Sequence, residues 1–449
     1  MRRPMPPPEQ DALMRSVLEN ATPEKLARIF VNPGAGPQDP YLPWDKIRFK
    51  TPPPGITHEE WWAGIRFTRH QMKRLLPLED ISGRPFSFAL PDRVLKALEQ
   101  ITRDSSGKIK ISEEVTNPGT RDRYLVHSLI EEAINSSQLE GASTTRLVAK
   151  EMLRSGRPPR SRDERMIVNN YGAMRLIGEL RDERLSPELI CEIHRIVTEG
   201  TLDNPDAAGR FQRPDEERVS VHTDDGELLH TPPPADTLPE RVSRLCDFAN
   251  GTLDAGSYIP PVLRAITVHF MMGYDHPFED GNGRTARALF YWSMLNQGYW
   301  LTEFVAISQI LKNAPVPYAL SYLYTEDDEN DLTYFYLHQL DVLQRSIDNL
   351  HTYLADKARE VQTLQTKISR SDTGFNHRQI ALLQYAMKNP AAAVTAHSHM
   401  TSHNVAYETA RQDLMGLEKS GLFVKRRSGK AYVWTPVADF RTRIHALGA

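Results

Sequence analysis

The chain has 449 residues, 40% of them hydrophobic and 25% charged, values that exclude a mostly disordered or collagen-like polypeptide. The length suits about two to four domains of ~100–200 residues each. With 55 Lys and Arg against 58 Asp and Glu, the net charge of −3 argues against a whole-surface polyanion binder, and two cysteines, Cys191 and Cys246, fit a reducing compartment rather than a disulfide scaffold.

Residues 1–60 carry proline and turn clusters (PPP, NPGAGP, TPPPG). They predict a surface-wrapping segment that starts as a mobile arm, holds one short helix near Glu24 to Phe30, and is anchored by Trp61 and Trp62. The opening run MRRPMPPPEQ has no apolar stretch behind its arginines, and no segment approaches the ~20 apolar residues of a membrane helix, so the expected location is the cytoplasm, away from membranes. Helices are expected over Asp92 to Ile101, 121–139, 163–181 and 186–200. The second of these carries Leu125, Val126, Leu129, Ile130, Ala133 and Ile134 at helical spacing and stops at Gly141. Ser186 followed by Pro187 is a cap and a first helical position.

Residues 203–235 change character: Arg218 to His222 alternate, Asp225-Gly226 turns, and Glu227-Leu228-Leu229 runs on, a hairpin signature inside a helical protein. Helices resume over 237–250, 260–273, Arg284 to Asn296 and within 303–368. Residues 371–449 read as a separate small α+β module, a helix over Gln379–Lys388, a helical hairpin ending at Gly421 and a two-stranded ribbon, which is the winged-helix pattern. Ten Lys and Arg face five Asp and Glu there, a net of +5.

The densest chemistry lies in His276-Pro277-Phe278-Glu279-Asp280-Gly281-Asn282-Gly283-Arg284-Thr285-Ala286-Arg287. Two glycines around an asparagine let successive N–H groups converge into an anion nest, and the helix that follows adds its free N–H groups and dipole. Arg284 and Arg287 fall on nearly the same helix face. These parts favour a polyphosphate. Asp280 beside them suits a magnesium ion, which wants oxygen ligands, and His276 takes a proton near neutral pH. No Gly-Lys-Ser/Thr follows, so this is not a Walker loop.

The run resembles the signature of the Fic (Fic/Doc) family, HPFx(D/E)GNGRxxR, with every fixed position filled, and the resemblance extends over roughly residues 125–300. It implies a mainly α protein, with a helical Fic core and a β-hairpin flap, that transfers AMP from ATP to a Ser, Thr or Tyr hydroxyl of a target protein and releases pyrophosphate. Carried over, His276 is the base and Asp280 binds Mg2+. Gly281, Asn282 and Gly283 cradle the phosphates, Arg284 neutralises them, and Arg287 holds the γ-phosphate. Val219, Ser220, Val221 and His222 resemble the flap edge that pairs with an extended target segment. Tyr318 and Tyr322 are candidate adenine contacts.

Ser136-Ser137-Gln138-Leu139-Glu140-Gly141 places Ser136 and Glu140 one helical turn apart. A carboxylate near a helix C-terminus is unfavourable and calls for a cation partner. The run resembles the family's inhibitory motif, (S/T)xxxE(G/N), whose glutamate pairs with the second arginine of the loop, here Arg287, and spoils productive ATP binding. The resulting division is 1–120 arm and helices, 121–150 inhibitory helix region, 151–310 Fic core, 311–370 helical extension and 371–449 winged helix.

Several readings stay open at this level. Glu140 serves as a brake or also in removal of AMP. The C-terminal module binds DNA through Arg411, Lys425, Arg426, Arg427 and Lys430, or it docks protein, and related proteins are often homodimers. A nucleotide-sensing DNA-binding regulator is the main rival function, and the intact His276 argues against it. A metal-dependent hydrolase is weakly supported, since His222, His230, His269 and His276 lack a ligand spacing.

Overall fold

The computed structural model describes residues 2–30, 40–106, 118–223, 225–253, 256–368, 374–388, 392–428 and 431–446. The turn run at 32–37 and Lys430 lie outside them. In chain order the elements begin α1 (Gln10–Asn20), α2 (Pro23–Phe30), α3 (Trp44–Ile47), α4 (His58–Met72), β1 (Arg74–Glu79), β2 (Pro85–Phe88) and α5 (Asp92–Ser106). Next come α6 (Pro118–Leu139), α7 (Arg146–Ser155), α8 (Arg162–Glu179), α9 (Pro187–Thr198), β3 (Val221–His222), β4 (Leu228–His230), α10 (Leu238–Ala249), α11 (Pro261–Asp275) and α12 (Asn282–Asn296). The chain continues through α13 (Ile307–Asn313), α14 (Pro315–Asp327), α15 (Thr333–Ile368), α16 (His377–Lys388), α17 (Ala396–His403), α18 (Tyr407–Lys419), β5 (Phe423–Ser428), β6 (Ala431–Pro436) and α19 (Phe440–Ala446). The protein is thus mainly helical. It divides into two compact units: 1–106, 172–302 and 307–344 form the first, and 107–171, 303–306 and 345–449 the second.

In the first unit, α11 and α12 are buried on nearly every side, including Val262, Ile266, Phe270, Met272, Leu289 and Trp292. A helix that is buried all round is the core around which others pack. α12 lies along α11, α9 packs on α12, and α10 packs on both α9 and α11. Ser186 caps α9 by accepting from the Leu189 N–H, with Pro187 at the first position, as the sequence predicts.

The N-terminal stretch is more regular than its prolines suggest. Pro23 and Pro43 sit at helix starts, where a missing N–H is harmless. Trp62 is fully buried in a cluster with Leu13, Val17, Ile29, Trp44 and Ile47, so it is the anchor, while Trp61 packs on the rim. The opening residues are not a loose arm: Arg3 donates to the Leu228 carbonyl and pairs with Asp327 at 3.3 Å. The antiparallel β1–β2 hairpin was not anticipated, because Pro77 and Pro85 demote these segments as strands on sequence alone.

In the second unit, α6 and α7 close a core of Val126, Ile130, Ala133, Ile134, Ala149 and Met152. Buried Glu131 on α6 reaches back to α7 through Arg146 at 2.6 Å and through Lys150. The C-terminal part gathers α16, α17, α18, β5, β6 and the unanticipated α19 around Leu383, Leu414, Leu417, Trp434 and Ile444. β5 and β6 pair from Phe423↔Pro436 to Ser428↔Ala431, and Val394 bridges to Trp434. α17 packs on α6 and α7. Arg411 is less available than expected, since its guanidinium is held by Glu408 at 2.8 Å. Lys425 lies over the Tyr432 ring at 4.1 Å, while Arg426 and Arg427 are exposed.

Asp413 ties this C-terminal part together. Its carboxylate accepts from Asn376 at 2.7 Å and Arg378 at 2.6 Å, and lies 3.1 Å from His399 Nε2. Burial alone raises its pKa, but hydrogen bonds from His399, Arg378 and Asn376 outweigh burial and hold the carboxyl well below the usual range. A depressed carboxylate stabilises the fold above its unfolded pKa of about 4, and that contribution is lost as pH falls toward the folded value. Asp413→Asn is therefore expected to destabilise by about 3 kcal/mol at pH 7. In denaturant titrations over a pH series, the gap from the parent should narrow below about pH 4.

Candidate active site

Helix α11 ends at His276, whose N–H bonds the Met272 carbonyl at 3.2 Å and whose backbone is left-handed, with φ 44° and ψ 53°. A side chain in that region costs ~1–2 kcal/mol, so the surroundings must enforce it. The half-buried ring keeps Nδ1 3.3 Å from the Gly273 carbonyl. Gly281, at φ 82°, is the N-cap of α12 and has no side chain to cap the helix. The first-turn N–H groups therefore have no acceptor within the helix, an arrangement that favours an anion.

The helix starts at Asn282, so Asn282 and Gly283 belong to its first turn, and only Gly281 makes the left-handed turn. This corrects the picture of a nest built from both glycines. The Asn282 side chain is also not free to cradle phosphate. Its Oδ1 accepts the Phe278 N–H at 2.9 Å, and its Nδ2 donates to the Phe278 carbonyl at 2.8 Å.

The loop's other carbonyls are bound as well. Arg218 donates to the carbonyls of Asp275 at 2.7 Å and His276 at 3.1 Å, and the Gln212 N–H to that of Pro277 at 2.8 Å. His194 Nε2 lies 2.8 Å from the Asp280 carbonyl, and its Nδ1 accepts the Gly209 N–H at 3.0 Å. The imidazole is fully buried and stacks on Phe278 with centroids 3.7 Å apart and planes 1° off parallel. Burial pushes its pKa down to about 4. His194 escapes sequence reasoning because the motif ends far from it. The available signal was a histidine on the apolar face of α9, between Ile193 and Val197.

Arg284 is buried and donates to the Val197 carbonyl at 2.8 Å, with Nη2 3.6 Å from Asp280 Oδ2. The Asp280 side chain is 50% exposed, and Oδ1 accepts the Gly281 N–H at 2.5 Å. One open carboxylate beside a helix N-terminus fits magnesium, which is commonly held by one or two carboxylates together with substrate phosphates. Arg287 is also buried, and its charge helps to push the His269 pKa down to about 3, with burial the larger cause. Tyr318 bonds His269 Nε2 at 2.8 Å and Tyr322 stacks on Phe270, so both candidate adenine contacts, on α14, pack their rings against α11.

The expected flap is shorter than the alternation implied. Val221 pairs with His230 and His222 with Leu228 across an irregularity, while Val219 and Ser220 precede the strand. Its base is fixed by Arg218, which also donates to the Pro233 carbonyl at 2.8 Å, and by His230. His230 bridges the Glu326 carboxylate and the Tyr274 carbonyl, each at 2.7 Å.

In the second unit, Ser136 is buried near the end of α6, and Glu140 is the exposed residue just past that end rather than on the helix face. The N–H of Ala142 bonds the Ser137 carbonyl at 3.0 Å, and that of Gly141 bonds Gln138 at 3.2 Å, with Gly141 at φ 93°. This is a Schellman cap, and it needs a left-handed residue after Glu140.

Two outcomes follow from this geometry. A Cβ on Gly281 would lie 2.6 Å from Thr198 Cγ2. Gly281→Ala is expected to destabilise by about 2 kcal/mol, and adding Thr198→Ser should recover part of it in thermal denaturation, since only the methyl clash is relieved. For His230, burial opposes protonation, yet the hydrogen bond and charge of Glu326 outweigh it and the pKa is raised. Its stabilisation is complete below about pH 6.5 and is lost as pH rises through the folded value. The melting-temperature loss in His230→Gln should therefore be largest near pH 5.5 and smaller by about pH 8.5.

Residues 184–294 match the Fic/DOC family model. Protein adenylyltransferase fic-1 of Caenorhabditis elegans is 26% identical over 220 residues, which are 48% of this chain and 40% of that protein. Protein adenylyltransferase Fic of Drosophila melanogaster is 27% identical over 213 residues, 47% of this chain and 40% of that protein. The chain thus spans about two fifths of the length of these curated relatives. Among solved structures, a Fic family protein from Desulfovibrio desulfuricans G20 aligns with a TM-score of 0.49 and 16% identity, over 77% of this chain and 96% of that one. Fic-1 (aa134–508) from C. elegans aligns with a TM-score of 0.46 and 20% identity, over 70% and 81%. Residues 184–294, which hold His276 and the loop after it, are a Fic/DOC family domain.

Proposed function

We propose that the chain transfers AMP from ATP to a hydroxyl side chain of a target protein. The observation that carries this reading is the folded loop itself: a left-handed His276, a half-exposed Asp280 and the uncapped start of α12 within one short run. The domain match and the relatives named as protein adenylyltransferases support it. His276 accepts the proton of the target hydroxyl as its oxygen bonds to the α-phosphorus, and the bond from that phosphorus to pyrophosphate breaks. The first-turn N–H groups and Arg284 offset the charge gathering on the phosphates, and Arg287 serves the γ-phosphate. Asp280 would hold magnesium, which would supply charge neutralisation to the phosphates when bound. The extended segment at Val219–His222 offers main-chain groups to a target strand.

Glu140 acts as a brake in this reading. Its support is the Schellman cap, which fixes a carboxylate at the end of a buried helix, where the dipole disfavours it. Incubation with radiolabelled ATP tests both parts. Glu140→Gly is expected to raise label incorporation, self-modification included, by about tenfold or more, and His276→Ala in that background should lower it by at least about 100-fold. No label from Glu140→Gly would sink the reading. Release of AMP from a modified target by the parent would recast Glu140 as a residue that also serves the reverse chemistry.

A further inference from the structure

Asn282 fastens the loop at Phe278 from within the motif, and one buried side chain outside the motif holds it further along. His194 lies on α9, far in sequence from Asp280, and contributes three separate contacts. Nε2 meets the Asp280 carbonyl at 2.8 Å, Nδ1 accepts the Gly209 N–H at 3.0 Å, and the ring lies flat on Phe278 at 3.7 Å. A nitrogen that accepts an N–H bears no proton, so the pair of bonds specifies the neutral ring protonated on Nε2. Packing alone would not require this, because a phenylalanine or leucine fills a similar space. The fit is also tight on the adjoining residue: a Cβ on Gly281 would lie 3.3 Å from His194 Nε2.

We propose that His194 is a positioning residue for AMP transfer: by holding the Asp280 carbonyl it sets where the Asp280 carboxylate and the Gly281 turn stand, and so governs how the loop takes magnesium-bound triphosphate. The proposal rests on the nucleotide reading of the loop. The Asp280 carbonyl is held from behind while its carboxylate stays half exposed, so one residue joins the scaffold to the open side of the site. Groups that orient a metal-binding carboxylate without touching the metal typically matter by 10–100-fold. Displacing reacting groups by ~1 Å has an effect of similar size.

The test uses the full chain carrying Glu140→Gly, with His194→Phe or His194→Gln added. Phenylalanine keeps the stacking and loses both hydrogen bonds, whereas glutamine restores a donor and an acceptor. Thermal melting reports folding, calorimetry reports ATP affinity with and without Mg2+, and labelled ATP reports kcat and KM. His194→Phe is expected to melt as a folded protein, to lose about tenfold or more of the magnesium-dependent gain in ATP affinity, and to lower kcat about 10–100-fold. His194→Gln should stay within about threefold of the parent. His194→Phe matching the parent, or His194→Gln no better than His194→Phe, overturns the proposal. If the Glu140→Gly parent binds Mg·ATP but transfers no AMP, the reaction reading fails, and the magnesium-dependent affinities alone decide on His194. A parent that does not bind Mg·ATP removes both.

Discussion

An anion site made from backbone requires that carbonyl oxygens be held elsewhere, and the loop after α11 meets that requirement at nearly every step. The carbonyls of Asp275, His276, Pro277, Phe278 and Asp280 are each bound by a donor or a histidine nitrogen. Their negative ends are therefore engaged within the protein, and the uncapped start of α12 can present positive ends to a ligand. The left-handed backbone of His276 is tolerable only within such a network, because each bond removes a way for the loop to relax. The distant parts of the first unit, α9, the segment 209–218 and the flap base, serve the site through this one constraint.

That constraint also explains how much was legible in the sequence. The motif residues were readable because their types answer to chemistry: a titratable ring, a carboxylate, a glycine at a turn, arginines on a helix. The scaffold donors were not. Arg218 looked like one residue of an alternating strand, yet its guanidinium spans Pro233, Asp275 and His276. His194 was not singled out within the helix expected over 186–200. Asn282 was read as a phosphate ligand because its position in the motif is known while its hydrogen-bond partner is not visible in one dimension. Many of the fold's helices were legible from caps and periodicity, but α4 and α7 were not. The β1–β2 hairpin and α1 were not, since prolines hid strands that pair at their edges and helices that begin beside them.

The second unit shows the same division between local and distant information. The Schellman cap after Leu139 was foreshadowed by Gly141, because only a glycine adopts that backbone without strain. The placement of Glu140 one residue beyond the helix, and not on its face, depends on where the hydrogen bonds of that cap fall. The polar run on α6 is buried at Glu131, Glu132, Asn135, Ser136 and Ser137. A buried polar face must be satisfied by specific partners, so it constrains the register of α6 more tightly than its apolar residues do. Glu131 pairs with Arg146 and Lys150, Asn135 donates to the Glu131 carbonyl at 2.7 Å, and the Ser137 hydroxyl donates to the Met166 carbonyl at 3.2 Å.

The charge pattern around α11 and α12 gives the site its sign. Asp275 is buried and neutralised by Arg241 at 2.7 Å, which also donates to the Glu79 carbonyl, so this acid is committed to the scaffold. Two buried histidines, His194 and His269, have their pKa values pushed down to about 4 and about 3, with burial the first cause in each, and so add no charge near neutral pH. Arg284 and Arg287 keep theirs, because guanidinium does not lose its proton in proteins. Burial gives those charges a weakly screened field, and the dipole of α12 adds to it. Arg287 helps to hold His269 neutral, with burial the larger cause.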